Sequence, residues 1–333
     1  MSTKTRVAVI MGGVSGEHDV SVNSGTGIFH SLLADKYEGT TVLIGKDGSW
    51  SIDGGSAVPM VDALPQLVGA IDVAFLALHG PNGEDGTFQS LFHLLGIPYT
   101  GSDYYASSLA MNKPRAKDAY RAAGLTVAPD RVIWKEAFVG EARKTILEDV
   151  EKALGFPCVA KTTKLGSSVG VAIVDSLTVL SDKLDEFFGF GDEVLVEKFI
   201  HGTELTAPII DDPYAGETRA LPLIEIRPVV SGWFDYEAKY KIGGAEELCP
   251  APVDEKLTAR CQQIGRQAHR ILGCSGMSRT DLLVDDAGEI FVIETNTIPG
   301  FTQTSLLPQA AAEVGISYAQ LVDMLIQEAI RRE

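Results

Sequence analysis

Four polar residues between Arg279 and Gly300 have the types and spacing best suited to chemistry. The stretch reads RTDLLVDDAGEIFVIETNTIPG. Two apolar runs, LLV and IFVI, flank DDAG, which predicts a hairpin turning near Ala287-Gly288. Pairing outward from that turn sets Asp281 opposite Glu294 and Arg279 opposite Asn296. Side chains alternate along a strand, so all four groups share one face at the open end of the hairpin. Two carboxylates and an amide carbonyl offer hard oxygen ligands, and Mg²⁺ shared with phosphates suits such a set. The plainer alternative is a solvated polar strand end. Leu282, Val284, Phe291 and Ile293 instead suggest a largely buried sheet, where carboxylates without a cation or partners would be costly. Asp281, Glu294 and Asn296 are therefore read as a metal site, with Arg279 beside it.

Two further loops carry groups able to meet a small polar ligand. GGVSGEHD follows the apolar run Val7–Met11, and HGPNGEDG follows Asp72–Leu78. The first lacks the glycine spacing of a dinucleotide fingerprint, which weakens a nicotinamide enzyme. Asp19 and Asp85 fall where helices start and are read as caps that complement the helix dipole. Glu17 and His79 are better placed to contact substrate, with the carboxylate able to hold an ammonium group. Farther on, CVAKTTKLGSSVGVAIV reads as strand, Gly/Ser loop and strand. A P-loop would run into a helix instead. Backbone N–H groups and hydroxyls around Gly166-Ser167-Ser168, with the charge of Lys161, could cradle phosphates. The competing reading is a plain hairpin turn.

These groups need a scaffold, and the alternation of the chain supplies one. Val7–Met11, the turn Gly12–Gly16, a helix over Val20–Leu33, then strands at Thr41–Gly45 and Asp72–Leu78 predict a doubly wound parallel sheet. Ligands of such sheets sit beyond the C-terminal strand ends, where both loops lie. Pro114 opens a helix that Gly124 closes, and another spans Arg143–Leu154. EVLVEKFI is a strand ending at His201-Gly202, with Glu204 just beyond. The 333 residues, 45% hydrophobic, suffice for two or three cored domains. A net charge of -17 argues against nucleic acid or an anionic membrane as the main partner. The N-terminal apolar run is too short for a signal or transmembrane segment. Cys158, Cys249, Cys261 and Cys274 have no metal or redox spacing and are read as reduced thiols of a cytosolic protein.

Taken in order, GGVSGEHDVSVNSG, ALHGPNGEDG, YTGSD, MNKPRAK, LGSSVGV, VLVEKFI, FDYEAKY, SRTDLLV and ETNTIPG resemble the D-alanine–D-alanine ligases, members of the ATP-grasp fold. The resemblance runs from about Val7 to the C-terminal helices. It implies an α/β and α+β architecture: an N-terminal α/β domain over 1–103, a central subdomain over 104–197, and a C-terminal domain over 198–333 with the metal site. ATP is expected between the last two. By the same resemblance Lys113 and Lys161 touch ATP phosphates, and Ser168 and Lys239 in the two loops belong to the ATP-binding set. Glu197, Lys198 and Ile200 meet the adenine edge, and Glu204 holds the ribose. Asp281, Glu294 and Asn296 are implied as ligands of two Mg²⁺ or Mn²⁺ ions, agreeing with the hairpin argument. Arg279 and Gly300 would stabilise the oxyanion. Glu17 and His79 would lie near the first D-alanine, Ser305 and Leu306 near the second. Ser167, bonded to Glu17 and Tyr240, would tie the phosphate loop to a mobile loop carrying Lys239 and Tyr240.

The implied reaction is ATP-dependent joining of two D-alanines through an acyl phosphate, for peptidoglycan precursors, in a cytoplasmic homodimer. Such chemistry needs positioning and charge neutralisation more than a protein nucleophile. A depsipeptide-forming sibling is the nearest rival. A carboxylate kinase and a nucleotide-binding regulator without turnover are more distant. The chain departs from the family pattern at Leu165, which cannot make a polar contact, and at Ile298 and Phe301. The last two predict a tighter or more apolar pocket.

Overall fold

The computed structural model describes residues 4–164, 170–228 and 244–332. The N-terminal sheet is built from β1 (Thr5–Gly12), β2 (Tyr37–Ile44), β3 (Trp50–Ile52) and β4 (Val73–Leu76), in the order β3-β2-β1-β4. β1 runs parallel to both β2 and β4, as the alternation predicts, and only the short edge strand β3 is antiparallel. Val7, Ala8, Val9 and Ile10 are fully buried, which explains their unbroken apolar run. Helix α1 (His18–His30) returns the chain from the end of β1. Helices α2 (Met60–Leu67) and α3 (Thr87–Leu94) flank β4.

Helices α4 (Tyr104–Met111) and α5 (Lys113–Ala122) lead out of this domain. Asp103 caps α4 through Ala106 N, and Asn112 caps α5 through Arg115 N, with Pro114 in the first turn. The next sheet holds β5 (Asp130–Trp134), β6 (Cys158–Thr162), β7 (Val171–Val174) and β8 (Glu193–Lys198), ordered β5-β8-β6-β7 and antiparallel throughout. Helices α6 (Ala142–Leu154) and α7 (Leu177–Phe187) cover one face. Its core draws on Ile133, Val150, Leu180 and Val196. An expected boundary at residue 103 assigns α4 and α5 to this unit, yet Ala110, Ala116 and Tyr120 are buried in the core of the following sheet.

That sheet comprises β9 (Thr203–Asp212), β10 (Glu217–Ala220), β11 (Ile224–Pro228), β12 (Ala245–Leu248), β13 (Met277–Val284) and β14 (Ile290–Asn296). The order is β12-β11-β9-β13-β14, with β10 pairing the far end of β9. Helix α8 (Glu255–Leu272) packs on it, capped by Asp254 and ended by Gly273 at φ 74°. Helices α9 (Leu306–Glu313) and α10 (Tyr318–Arg332) return to the first domain, where Leu307, Leu321, Leu325 and Ile326 join the core of β1 and β4. Asp323 of α10 fastens the junction, accepting from Tyr37 Oη at 2.6 Å, Lys36 Nζ at 3.0 Å and Tyr214 Oη. Among the described residues no helix is long and apolar enough to cross a membrane.

Candidate active site

The β13–β14 hairpin carries the predicted metal face, and its open end has the expected register: Arg279 lies opposite Asn296 and Asp281 opposite Glu294. The closed end differs. Asp285–Glu289 form a five-residue loop between Val284 and Ile290, held by Ala287 N and Glu289 N donating to Asp285 Oδ1. This loop pairs Leu282 with Val292, where the shorter turn would have paired it with Ile293. A bulge between Asp281 and Leu282 absorbs the extra residue and restores the register at the site.

Arg279 grips Asp281 through two parallel bonds, Nε to Oδ1 at 2.9 Å and Nη2 to Oδ2 at 2.8 Å, with the two side chains 13% and 8% exposed. Burial alone would lower the guanidinium pKa. Asp281, with Glu294 and Glu84 farther off, raises it well above its ordinary value. Glu294 meets Lys113 Nζ at 3.4 Å. Asn296 Oδ1 accepts from Ile298 N at 2.8 Å, which fixes the amide at the strand end and leaves its oxygen a second lone pair. Asp281, Glu294 and the Asn296 carbonyl thus present oxygen donors at one strand end, and this set fits a hard divalent cation. Among the described residues no group of three His, Cys, Asp or Glu forms a cation cage. The candidate set has two carboxylates and an amide.

The central sheet brings its cations to the same place. Lys113 stands at the start of α5, and its N–H donates to Thr163 O at 3.2 Å beside the strand that carries Lys161. Lys161 pairs with Glu197 Oε2. Burial opposes its charge, but Glu197 foremost, then Glu294 and Glu204, raise its pKa. Glu197 is also buried, yet Lys161 and Lys117 hold its carboxyl down at about 2. Lys198 N donates to Pro129 O at 2.8 Å, with its side chain exposed at the end of β8. Ile200 follows it, half-buried, and Glu204 sits on β9 opposite Leu283. Ser167 and Ser168, with Leu165 and Gly166, lie outside the described residues, as do Lys239 and Tyr240.

Glu17 and His79 lie at the C-terminal ends of the adjacent strands β1 and β4. Ser15 joins the two loops: its Oγ donates to His79 O at 2.9 Å and accepts from Glu17 N at 3.2 Å. Gly80 has φ +74°, a conformation that favours glycine, and a Cβ there would stand 2.5 Å from Glu17 Oε2, so the carboxylate would have to shift for a larger residue. His79 is 4% exposed, with Nε2 3.3 Å from Ser24 Oγ and Nδ1 3.6 Å from Glu84 Oε1. Glu84 is itself buried, and its charge is the smallest of the contributions that raise the pKa of Arg279. Asp85 stands one residue outside the N-cap of α3, which is Gly86, and braces the turn before the helix by accepting from Asn82 N and Thr87 N. Asp19 lies in the first turn of α1.

Gly300 and Ser305 face each other below the hairpin. A Cβ on Gly300 would lie 3.1 Å from Ser305 Oγ, which accepts from Thr302 N at 3.0 Å. Leu306 opens α9 with its side chain in the first core. Ile298 and Phe301 correct one expectation. They are 2% and 1% exposed, and Phe301 stacks between Phe75 and Tyr318, so their bulk fills the domain junction rather than narrowing a pocket. The cysteines are all free, and burial pushes the thiols of Cys158, Cys249 and Cys261 up to about 11 and that of Cys274 to about 12. No activated thiolate is present among them.

Sequence reasoning missed three supports. Lys117, 1% exposed, reaches Glu197, Asp130 and Ala128 O. Its place in a helical pattern was legible, but its strand partners were not. Tyr120, three residues on, donates to Thr295 Oγ1 at 2.7 Å, and Thr295 in turn bonds Thr280 at 2.9 Å beneath the metal face. Glu84 stood in a loop already singled out, without any signal that its carboxylate would be buried beside His79.

Comparison with known proteins shows the family. The family model described as D-ala D-ala ligase N-terminus matches residues 6–102, and the one described as D-ala D-ala ligase C-terminus matches residues 119–327. A D-alanine–D-alanine ligase of Geobacter sulfurreducens is 43% identical over 328 residues, covering 98% of this chain and 94% of that one. That of Syntrophobacter fumaroxidans is 41% identical, covering 99% of each. Among solved structures, the VanG D-Ala:D-Ser ligase of Enterococcus faecalis superposes with a TM-score of 0.85 at 30% identity, covering 98% of this chain and all of that one. The Bacillus anthracis D-alanine–D-alanine ligase complexed with ATP gives 0.81 at 35% identity, covering 99% of this chain and 98% of that one.

Proposed function

Because the chain belongs to the D-alanine–D-alanine ligase family and has its ATP-grasp fold, we propose that it joins two D-alanines to D-alanyl-D-alanine at the expense of ATP, supplying a peptidoglycan precursor. The observation that carries this reading is the convergence of Lys161 and Glu197 from the central sheet with Glu204, Arg279, Asp281 and Glu294 from the last sheet, where Lys113 of α5 meets Glu294.

A carboxylate is a poor acyl donor, so the first D-alanine attacks the γ-phosphorus of ATP through a carboxylate oxygen and ADP departs. The amine of the second D-alanine then attacks the acyl carbon, the C–O bond to phosphate breaks, and the amine proton is lost. Lys113 and Lys161 meet the phosphate charge, Glu197, Lys198 and Ile200 the adenine edge, and Glu204 the ribose. Glu17 and His79 orient the first D-alanine, whose ammonium Glu17 holds. Arg279, with the backbone at Gly300, lies where the tetrahedral oxyanion develops. Ser305 and the backbone of Leu306 receive the second D-alanine. Asp281, Glu294 and Asn296 would hold Mg²⁺ or Mn²⁺, two ions together, which when bound neutralise phosphate charge. By the family resemblance Ser168 and Lys239 belong with the ATP-binding groups and Ser167 and Tyr240 with the catalytic ones, and closure of the loop that carries Lys239 and Tyr240 would keep water from the acyl phosphate. We extend it to a cytoplasmic homodimer, as the family resemblance implies.

The test supplies purified protein with ATP, Mg²⁺ and D-alanine and measures dipeptide and phosphate together, with D-serine and D-lactate as competing acceptors resolved by mass. Equal amounts of D-alanyl-D-alanine and phosphate support the proposal. A predominance of D-alanyl-D-serine or the depsipeptide would reassign the acceptor, and released acyl phosphate would make the protein a kinase.

A further inference from the structure

Lys117 is the most deeply buried cation near the candidate nucleotide site, and the mechanism above makes no use of it. It projects from α5 and is 1% exposed. Its Nζ meets Glu197 Oε1, Asp130 Oδ2 at 2.8 Å and Ala128 O at 2.9 Å, so all three of its protons have acceptors. Asp130 and Glu197 are paired across β5 and β8, so the lysine pins two neighbouring strands to one helix. The other oxygen of Glu197 belongs to Lys161, whose side chain is 15% exposed. One buried carboxylate is therefore shared by two lysines, one sealed in and one at the edge of the site.

We infer that Lys117 is a positioning residue for nucleotide binding: it holds the Glu197 carboxylate so that Lys161 is free to turn to the phosphates of ATP. This rests on the proposed roles of Glu197 and Lys161. If Lys161 were the only counter-ion, swinging away would strand a buried carboxylate, a strongly unfavourable state. With Lys117 in place, Glu197 keeps a partner whichever way Lys161 points. Asp130 does not depend on the same lysine, because Arg121 also reaches it at 2.7 Å. Helix α5 suits the task, since Lys113, Lys117 and Tyr120 at i, i+4 and i+7 share one face. Through them the helix touches Glu294, Glu197 and Thr295.

The test compares wild type, Lys117→Met, Glu197→Gln and the double variant. ATP binding is measured with Mg²⁺ and no D-alanine, alongside the KM values for ATP and D-alanine. Lys117→Met should weaken ATP binding and raise its KM by about 30-fold or more, the lower end of the effect of truncating one partner of a buried charge pair. The KM for D-alanine should stay within about twofold, a split that general loosening of the fold would not give. In the Glu197→Gln background the same change should have no further effect, because no charge remains to be held. The double variant also removes both buried charges together, so it answers the question even if Lys117→Met alone fails to fold. Unchanged ATP binding in Lys117→Met, or an equal loss in both backgrounds, overturns the inference while leaving the ligase reading intact. Unchanged ATP binding in Glu197→Gln overturns the assigned role of Glu197 and this inference with it.

Discussion

Arg279→Ala separates two roles that meet in one side chain. The guanidinium makes two charge-assisted bonds to Asp281, at 2.9 and 2.8 Å, with both side chains nearly sealed from water. Removing one partner of such a pair strands the other and costs about 3–5 kcal/mol. For a protein of this size that lowers the apparent Tm by roughly 5–10 °C. Asp281 is also a proposed metal ligand, so cation and guanidinium compete for the same carboxylate. Without Arg279 the carboxylate loses its bidentate partner among the described residues and turns to the cation, so saturating Mg²⁺ should raise the Tm of the variant by more than that of wild type. The comparison is a pair of thermal melts, in EDTA and in Mg²⁺, for each protein. In turnover, loss of a preorganised donor at the oxyanion should lower kcat by on the order of 10²–10³-fold, with little change in ATP binding. An identical Mg²⁺ increment in both proteins would refute the shared carboxylate. Collapse of ATP binding with the chemical step intact would make Arg279 a phosphate clamp instead.

Glu294→Gln removes a ligand charge and the partner of Lys113; turnover should be nearly abolished while the circular dichroism spectrum is unchanged, and near-normal activity at ordinary Mg²⁺ would reject the metal assignment. Acid should destabilise the protein through Glu197, whose carboxyl stands at about 2 against an ordinary 4.5 because Lys161 and Lys117 outweigh its burial. A depressed pKa stabilises above the unfolded value, so roughly 3 kcal/mol present above pH 4.5 is lost as pH falls toward 2. Denaturant titrations of wild type and Glu197→Gln across that window should converge, and parallel curves would exclude the charge pair as the cause. Asp323→Asn weakens the knot of Lys36, Tyr37 and Tyr214 that fastens α10 to both outer sheets; a loss of about 2–4 kcal/mol is expected from charge-assisted bonds, and a denaturation midpoint equal to wild type would contradict it.

Local pattern made the first sheet and the open end of the hairpin legible. The apolar run at Val7–Ile10 and the pairing of Asp281 with Glu294 both depend on neighbours in sequence. The hairpin register at the site survives a longer loop only because a bulge at the next residue pair compensates. No composition rule announces such a bulge. Strand β9 was hidden by Pro208, which normally argues against an interior strand, yet here it lies opposite Arg279. The return of α10 to the first core joins residues some 300 positions apart, as in Tyr37 with Asp323, and periodicity carries no information on that scale. Lys117 was unreadable for the same reason, since a lysine on a helix face is ordinarily solvated and only tertiary placement buries it among Glu197, Asp130 and Ala128.

The central claim is that ATP activates the carboxylate of one D-alanine before a second attacks it, and the path of one oxygen atom reports on this directly. D-Alanine labelled with ¹⁸O in both carboxylate oxygens, incubated with the protein, ATP and Mg²⁺, should release phosphate carrying a single ¹⁸O per dipeptide formed, because the C–O bond to the acyl phosphate is the one that breaks. Dipeptide accompanied by unlabelled phosphate, or ATP hydrolysed to unlabelled phosphate with no dipeptide, would contradict the account.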